Sequence, residues 1–358
     1  MVKKLVVSFD GTWNEPNVGR DTNVWKFHRS INGDEYKDPE KHGPASSSPA
    51  AQTIKWYDEG VGTVWYDRLG GGFFGYGLSR NIAQGYQFLV DNYQDGDEIY
   101  LLGFSRGAYT ARSLSGLIQL IGLLEKNHAP EADPNDNPIV VKGYKLYREP
   151  DEASGSQDVE DFRIKYSSRT VRIKFIGVWD TVGSLGVPVD FLKMLNDRYE
   201  FHNVKLGDMI DHAFHALAID EHRKIFEPTL WNSKPEENQE VEQVWFAGAH
   251  SDVGGGSDVP SLSDLALRWM QDKADLDGEG LKFDDSQKPD ASQLYLTLKP
   301  SDPYKDGTFW LYRIIGFFTG GRYRRPVKKL DHGFESVHQT ARAKMNQDPN
   351  YNPKNQGL

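Results

Sequence analysis

Residues 98–122 read EIYLLGFSRGAYTARSLSGLIQLIG. Glu98 to Phe104 is a short, almost wholly apolar run, which predicts a strand buried on both faces. From Ala108 to Leu124 apolar residues fall on nearly every side of a helical wheel, which predicts a buried helix. Between the two stands Gly103-Phe104-Ser105-Arg106-Gly107, a match to G-x-S-x-G. In that pattern the serine occupies a tight, strained strand-to-helix turn, and the flanking glycines leave room for strand and helix to approach each other. The hydroxyl is thereby lifted above the sheet edge. The Arg106 N–H would then lie at a helix N-terminus, where it can stabilise an oxyanion. The bare pattern is common, so the strand–turn–helix context carries the reading. Its bland alternative is a Gly-Ser turn that only joins two elements.

Outward from this stretch the same alternation repeats. Val2–Phe9, Thr53–Glu59, Val171–Val178 and Val241–Ala247 read as strands. Arg80–Asn92 and Leu262–Lys273 read as helices, the second with Ser261 or Ser263 as N-cap. Apolar strands separated by helices predict an α/β fold, a mostly parallel sheet with helices on both faces. In such sheets ligands bind at the carboxyl ends of the strands. Here strands end at Asp10, at Asp180 and at His250, and another runs into Ser105. A serine nucleophile needs a base and a group to orient it. The chain order Ser105, Asp180, His250 is that of α/β-hydrolases. His338, on a predicted C-terminal helix, is the rival base. Asp180 could also be a turn residue, and His250 a satisfied histidine in a glycine-rich turn. Gly11 and Thr12 follow the first strand, where a second oxyanion donor is expected, and Asp10 could orient that loop by accepting backbone hydrogen bonds.

Composition narrows the chemistry further. The chain has 358 residues, 42 Lys+Arg against 52 Asp+Glu, and no cysteine. A disulfide framework, a thiolate nucleophile and a zinc–thiolate site are excluded. The acidic balance argues against nucleic acid as main partner. No run approaches ~18 apolar residues, so no membrane span is expected. Leu5–Phe9 is too short for the core of a secretory signal peptide. A soluble protein is therefore expected, cytoplasmic or exported by a route without such a signal.

FDGTWN, GFSRGA, GVWDTVGSLG, HALAIDEHR and FAGAHSDVGGG occur in that order. Together they resemble the DUF2235 family of α/β-hydrolases, which includes the catalytic domains of type VI secretion phospholipase effectors of the Tle1 group. The resemblance implies an α/β-hydrolase-like fold and an esterase or phospholipase; because Ser, His and Asp supply nucleophile, proton relay and orienter, no cofactor is expected. It places Ser105, Asp180 and His250 on the family's expected triad, with an ester or lipid as substrate.

The expected organisation is a catalytic domain over 1–300 with insertions at 127–163 and 185–232, the latter helical. Both would cap the site, and Phe191, Leu192, Met194, Leu195, Phe201 and Phe214 could line an acyl pocket. Residues 301–358 form an extension packed on the core with a frayed tail. Residues 309–329 combine aromatics with Arg322, Arg324, Arg325, Lys328 and Lys329, a pattern suited to an anionic membrane surface. The blander reading is a core segment followed by a solvated basic loop. Asp220-Glu221-His222-Arg223 reads as a structural salt-bridge network. Asp252 and Asp258 are too few, and wrongly spaced, for a metal loop.

Two other readings compete. A haloacid dehalogenase-type phosphatase needs D-x-D-G-T, and this chain has Ser8 where the nucleophilic aspartate would stand. Metal dependence would revive that reading. The fold could also be a catalytically silent binding scaffold, although all three triad candidates are present.

Overall fold

The structure is a computed structural model. It describes residues 2–11, 21–36, 52–60, 76–126, 138–148, 157–167, 171–182, 206–257, 261–290, 296, 298–302, 322–328 and 334–358. The strands are β1 (Lys4–Phe9), β2 (Asp34–Glu35), β3 (Thr53–Asp58), β4 (Glu98–Phe104), β5 (Ile173–Trp179), β6 (Ile210–Ala218), β7 (Glu240–Phe246) and β8 (Glu335–Val337). Among the described residues they form one eight-stranded sheet in the order β2-β3-β1-β4-β5-β6-β7-β8. Every pairing is parallel. From β1 the chain reaches the edge strand β2, returns to β3 beside β1, and then crosses to β4 on the other side of β1 and runs outward. The carboxyl ends of β1 and β4 therefore flank the point where strand order reverses, the usual ligand crevice of such sheets.

Helices cover both faces. These are α1 (Asn23–Ser30), α2 (Tyr76–Asn92), α3 (Arg106–Ile121), α4 (Pro138–Arg148), α5 (Gln157–Tyr166), α6 (His250–Gly254), α7 (Ser261–Ala274) and α8 (Gln339–Gln347). Successive strand residues point to opposite faces. Leu5, Val7 and Phe9 of β1 join one core with Leu89, Leu114 and Ile118 of the helices above. Val6 joins the other, with Phe27, Phe175, Phe214 and Met270. Because both faces are covered, β1 is buried throughout, and its sequence KLVVSF is mostly apolar rather than alternating.

The expected α/β-hydrolase-like fold is the observed one. Three expectations need correction. Residues 185–232 are not a helical cap as far as they are described: Ile210–Ala218 is β6, hydrogen-bonded between β5 and β7. Its IDHAFHALA sequence has helix-favouring Ala and Leu, but pairing in the sheet overrides that propensity. Phe214 consequently lies in the sheet core and not in an acyl pocket. Phe191, Leu192, Met194, Leu195 and Phe201 lie outside the described residues. The first insertion carries two helices, α4 and α5, and Val140, Tyr147 and Phe162 pack into the same core as the sheet.

The third correction concerns the tail, which is tied down rather than frayed. Tyr351 Oη donates to Asp220 Oδ2 at 2.8 Å. Asn355 Nδ2 donates to the carbonyls of Ile219 and Arg325, at 3.0 and 2.9 Å. Val327 N–H donates to Gln356 O at 2.8 Å. The polar residues that suggest disorder are spent on backbone groups of the sheet edge. No helix among the described residues is long and apolar enough to cross a membrane.

Candidate active site

Ser105 joins β4 to α3 with φ 57° and ψ −119°, a left-handed conformation that costs a non-glycine residue about 1–3 kcal/mol. The neighbours explain the glycines. A Cβ on Gly103 would lie 2.5 Å from Gly107 O, and one on Gly107 would lie 2.1 Å from Phe9 O. Neither position tolerates a side chain while β1, β4 and α3 keep their spacing. Ser105 N–H donates to Trp179 O at 3.1 Å, which ties the turn to the end of β5.

Asp180 follows β5 directly and is also left-handed, with φ 38°. His250 opens α6, just past the end of β7. Its Nε2 lies 2.9 Å from Ser105 Oγ and its Nδ1 lies 2.6 Å from Asp180 Oδ2. The ring packs against Phe104 and Phe226, with centroids 4.6 and 4.9 Å away. Gly254 makes the packing possible, since a Cβ there would meet the Phe104 ring at 1.9 Å. Sheet edge and aromatic contacts thus fix the imidazole between a hydroxyl and a carboxylate. An imidazole so placed can take the hydroxyl proton on one nitrogen while the carboxylate stabilises the charge through the other.

Asp180 is fully buried, which pushes its carboxyl group up. The Arg325 guanidinium and the His250 hydrogen bond outweigh burial and hold it well below the usual carboxylate range. Arg325 Nη1 donates to Asp180 Oδ1 at 2.6 Å and Nη2 to Oδ2 at 3.0 Å, with neither side chain exposed. Ala218 N–H adds a further donor to Oδ1 at 3.0 Å. The sequence reading placed Arg325 in a basic surface stretch; the structure buries it. Its only local sign is an aromatic–basic run ending at Pro326, which does not distinguish it from Arg322, whose guanidinium pairs with Asp302. Residues 309–321 and Lys329 of the stretch suited to a membrane surface lie outside the described residues.

Asp10 ends β1 as a buried carboxylate with its oxygens engaged. Oδ1 accepts from Gly11 N–H at 2.6 Å; Oδ2 accepts from Tyr57 Oη at 2.6 Å and from the Thr22 hydroxyl. Thr22 Oγ1 also caps α1 by accepting from Trp25 N–H at 3.1 Å. The Gly11 N–H is therefore directed at Asp10, and Thr12 lies outside the described residues. Arg106 begins α3, immediately after Ser105. His338 caps α8, stacks on Phe246 at 4.5 Å, and is pushed down to about 4 by burial.

Glu221 is buried and holds Arg223 through two side-chain bonds, at 2.9 and 2.7 Å. Its Oε2 also accepts from His250 N–H at 3.4 Å. Asp220 accepts from Gly248 N–H at 2.7 Å, so this cluster buttresses the loop that delivers His250. Asp252 accepts from Ala249 N–H and from the backbone and hydroxyl of Ser301, at 2.9, 2.7 and 2.7 Å.

The chain is 27% identical over 257 residues to the uncharacterized protein YEL023C of Saccharomyces cerevisiae (strain ATCC 204508 / S288c), matching 65% of this chain and 33% of that protein. It thus spans about a third of the length of that relative. Among solved structures, an uncharacterized protein from Pseudomonas aeruginosa is similar at TM-score 0.45 and 17% identity, over 81% of this chain and 48% of the other. The Tle1 effector bound to the VgrG spike of the type VI secretion system is similar at TM-score 0.36 and 18% identity, over 71% of this chain and 51% of the other. Residues 3–273 match the family described as "T6SS, Phospholipase effector Tle1-like, catalytic domain". With three quarters of its length inside that match, the chain belongs to the Tle1-like family of type VI secretion phospholipase effector catalytic domains.

Proposed function

We propose that the protein is a serine hydrolase of carboxylic esters, acting on phospholipids or other lipid acyl esters through an acyl-enzyme. The observation that carries this reading is His250 bridging Ser105 Oγ and Asp180 Oδ2 at 2.9 and 2.6 Å, on a strained turn at the sheet's carboxyl edge. Ser105 Oγ attacks the ester carbonyl as its proton passes to His250 Nε2. Asp180 holds the Nδ1–H and stabilises the imidazolium. The proton then goes to the departing alcohol, and water, activated by the same imidazole, releases the acid and regenerates Ser105.

The tetrahedral oxyanion needs amide donors. Arg106 N–H, at the start of α3, is the proposed first donor. Gly11 and Thr12 are the proposed source of the second; Gly11 would have to share the N–H it gives Asp10. The mechanism assigns no step to a metal or cofactor. Membership of a phospholipase effector family supports a lipid ester over a small soluble one.

Wild-type protein and Ser105→Ala should be compared for labelling by a fluorophosphonate probe and for hydrolysis of phospholipid vesicles and soluble esters in EDTA. The expected result is labelling and acyl release by the wild type alone. Absence of labelling, with turnover that EDTA abolishes and a divalent ion restores, would overturn the reading in favour of a metal-dependent phosphatase-like hydrolase.

A further inference from the structure

We infer that Arg325 is a positioning residue for the proposed relay, its guanidinium fork holding Asp180 in the orientation that presents Oδ2 to His250 Nδ1. The inference rests on the serine hydrolase reading and adds to it a residue that lies beyond the stretch 3–273 matched by the family.

The geometry is specific. Nη1 and Nη2 each meet one oxygen of the same carboxylate, at 2.6 and 3.0 Å, and Arg325 and Asp180 are both wholly buried. A lysine could supply the charge but not two parallel bonds. The fork is itself anchored, with Nη1 donating to Ala218 O at 2.8 Å and Nη2 to Phe226 O. Its backbone is stitched down on both sides. Tyr323 N–H donates to His222 O at 3.0 Å, and Asn355 holds Arg325 O at 2.9 Å. Phe226, which receives Nη2, also packs on the His250 ring. One residue thus touches two supports of the imidazole, Asp180 and Phe226.

Surrounding charges do not duplicate this role. On β6, His215 is pushed down to about 3 by burial, with Arg112 of α3 adding to the effect. Past β6, Glu221 is paired with Arg223. Among the described residues, the side chains paired with the Asp180 carboxylate are the guanidinium of Arg325 and the imidazole of His250. Removing the guanidinium leaves a carboxylate that burial drives toward its neutral form and that keeps the Ala218 N–H but loses the fork that fixes both of its oxygens.

The test uses the full chain with a soluble ester, comparing wild type, Arg325→Ala, Arg325→Lys, Asp180→Asn and the double variant Asp180→Asn/Arg325→Ala. Expected for Arg325→Ala is a kcat loss of about 10²-fold with KM changed less than about threefold, and an acid limb of the kcat profile moved to higher pH. Added guanidinium should restore about tenfold or more of the lost kcat, and Arg325→Lys should fall between alanine and wild type. In the Asp180→Asn background, Arg325→Ala should cost less than about threefold more, because both changes act through one carboxylate. Should the alanine variant fail to fold, Arg325→Lys carries the kcat and pH comparison. A folded variant with unchanged kcat and acid limb, or losses that simply multiply in the double variant, overturns the inference while leaving the serine hydrolase reading intact. A Ser105→Ala control that kept its activity would instead bring down that reading, and this inference with it.

Discussion

Among the described residues, serine, histidine and carboxylate are linked in series at two places. In one, His250 joins Ser105 to Asp180. In the other, Ser8 Oγ lies 2.9 Å from His28 Nδ1, and His28 Nε2 lies 3.0 Å from Glu35. The residue types and distances are nearly the same, yet the settings differ. Ser8 lies within β1, paired with Tyr57 of β3 on one side and Leu102 of β4 on the other, with no exposure. Ser105 sits on a left-handed turn at a strand's end and keeps 8% of its surface. The acids are reversed as well: Asp180 is wholly buried and clamped by Arg325, while Glu35 is about half exposed, with Lys55 at 3.5 Å. A hydrogen-bonded trio is therefore not a site by itself. What separates the two is where the fold leaves the serine: inside a ladder, or lifted over the switch point of the sheet.

The largest expected effect breaks one trio and spares the other. Ser105→Ala should lower ester turnover by about 10⁴–10⁶-fold with little change in stability. Ser8→Ala should leave turnover within about threefold of wild type and instead cost about 1–3 kcal/mol, because His28 loses a buried partner. Steady-state kinetics and urea denaturation of both variants decide it. If Ser8→Ala were the inactive one, the distinction drawn from the two settings would be wrong.

Next come the acids. Asp180→Asn should reduce kcat by about 10⁴-fold, since an amide cannot hold the Nδ1–H tautomer. It should also cost about 3–5 kcal/mol by leaving Arg325 without its carboxylate. Glu35→Gln, half exposed, should cost under about 1 kcal/mol and leave kcat unchanged. Thermal melts run beside the kinetics check both halves.

The smallest effect sharpens the comparison through pH. Burial pushes His28 below its ordinary value, with Glu35 opposing, and pushes His215 down to about 3. Both imidazoles therefore take up a proton less readily in the folded chain than in the unfolded one. Stability should therefore fall as pH drops below about 6.5, by up to ~1.4 kcal/mol per pH unit for each such histidine. Asp180 has the opposite charge type and a depressed value. Its contribution is complete above about pH 4 and is lost only as pH falls further toward its folded value. Denaturation curves between pH 7 and 4 should show the first slope, and His28→Asn should flatten it. An unchanged slope in that variant would assign the early loss elsewhere.

Ser105, Asp180 and His250 were legible because each is marked by its immediate neighbours, an apolar run that ends in a polar residue. Sheets put such residues on one edge whatever the details of loops. Arg325 carried no such mark. Its partner is 145 residues away in sequence, and a guanidinium meant for burial reads like one meant for water until the partner is seen. The β6 strand failed for a related reason. His212 to Ala218 has neither alternation nor β-branched residues, and only its place between β5 and β7 makes it extended. Asn355 and Tyr351 looked like a polar tail because backbone acceptors on a distant edge leave no trace in local composition.

The anchoring of Arg325 by the last turns of the chain has a temporal consequence. On a translating ribosome β4, β5, β6 and β7 emerge before residue 325, and their neighbour-by-neighbour order lets them pair as they appear. Ser105 and His250 can meet at that stage, while Asp180 faces them without its counter-charge. At about 5–20 residues per second, completion of the buried pair lags the appearance of Ser105 by on the order of ten seconds or more. A nascent chain therefore passes through an interval in which the sheet is largely built and a fully buried anion, Asp180, still lacks its guanidinium.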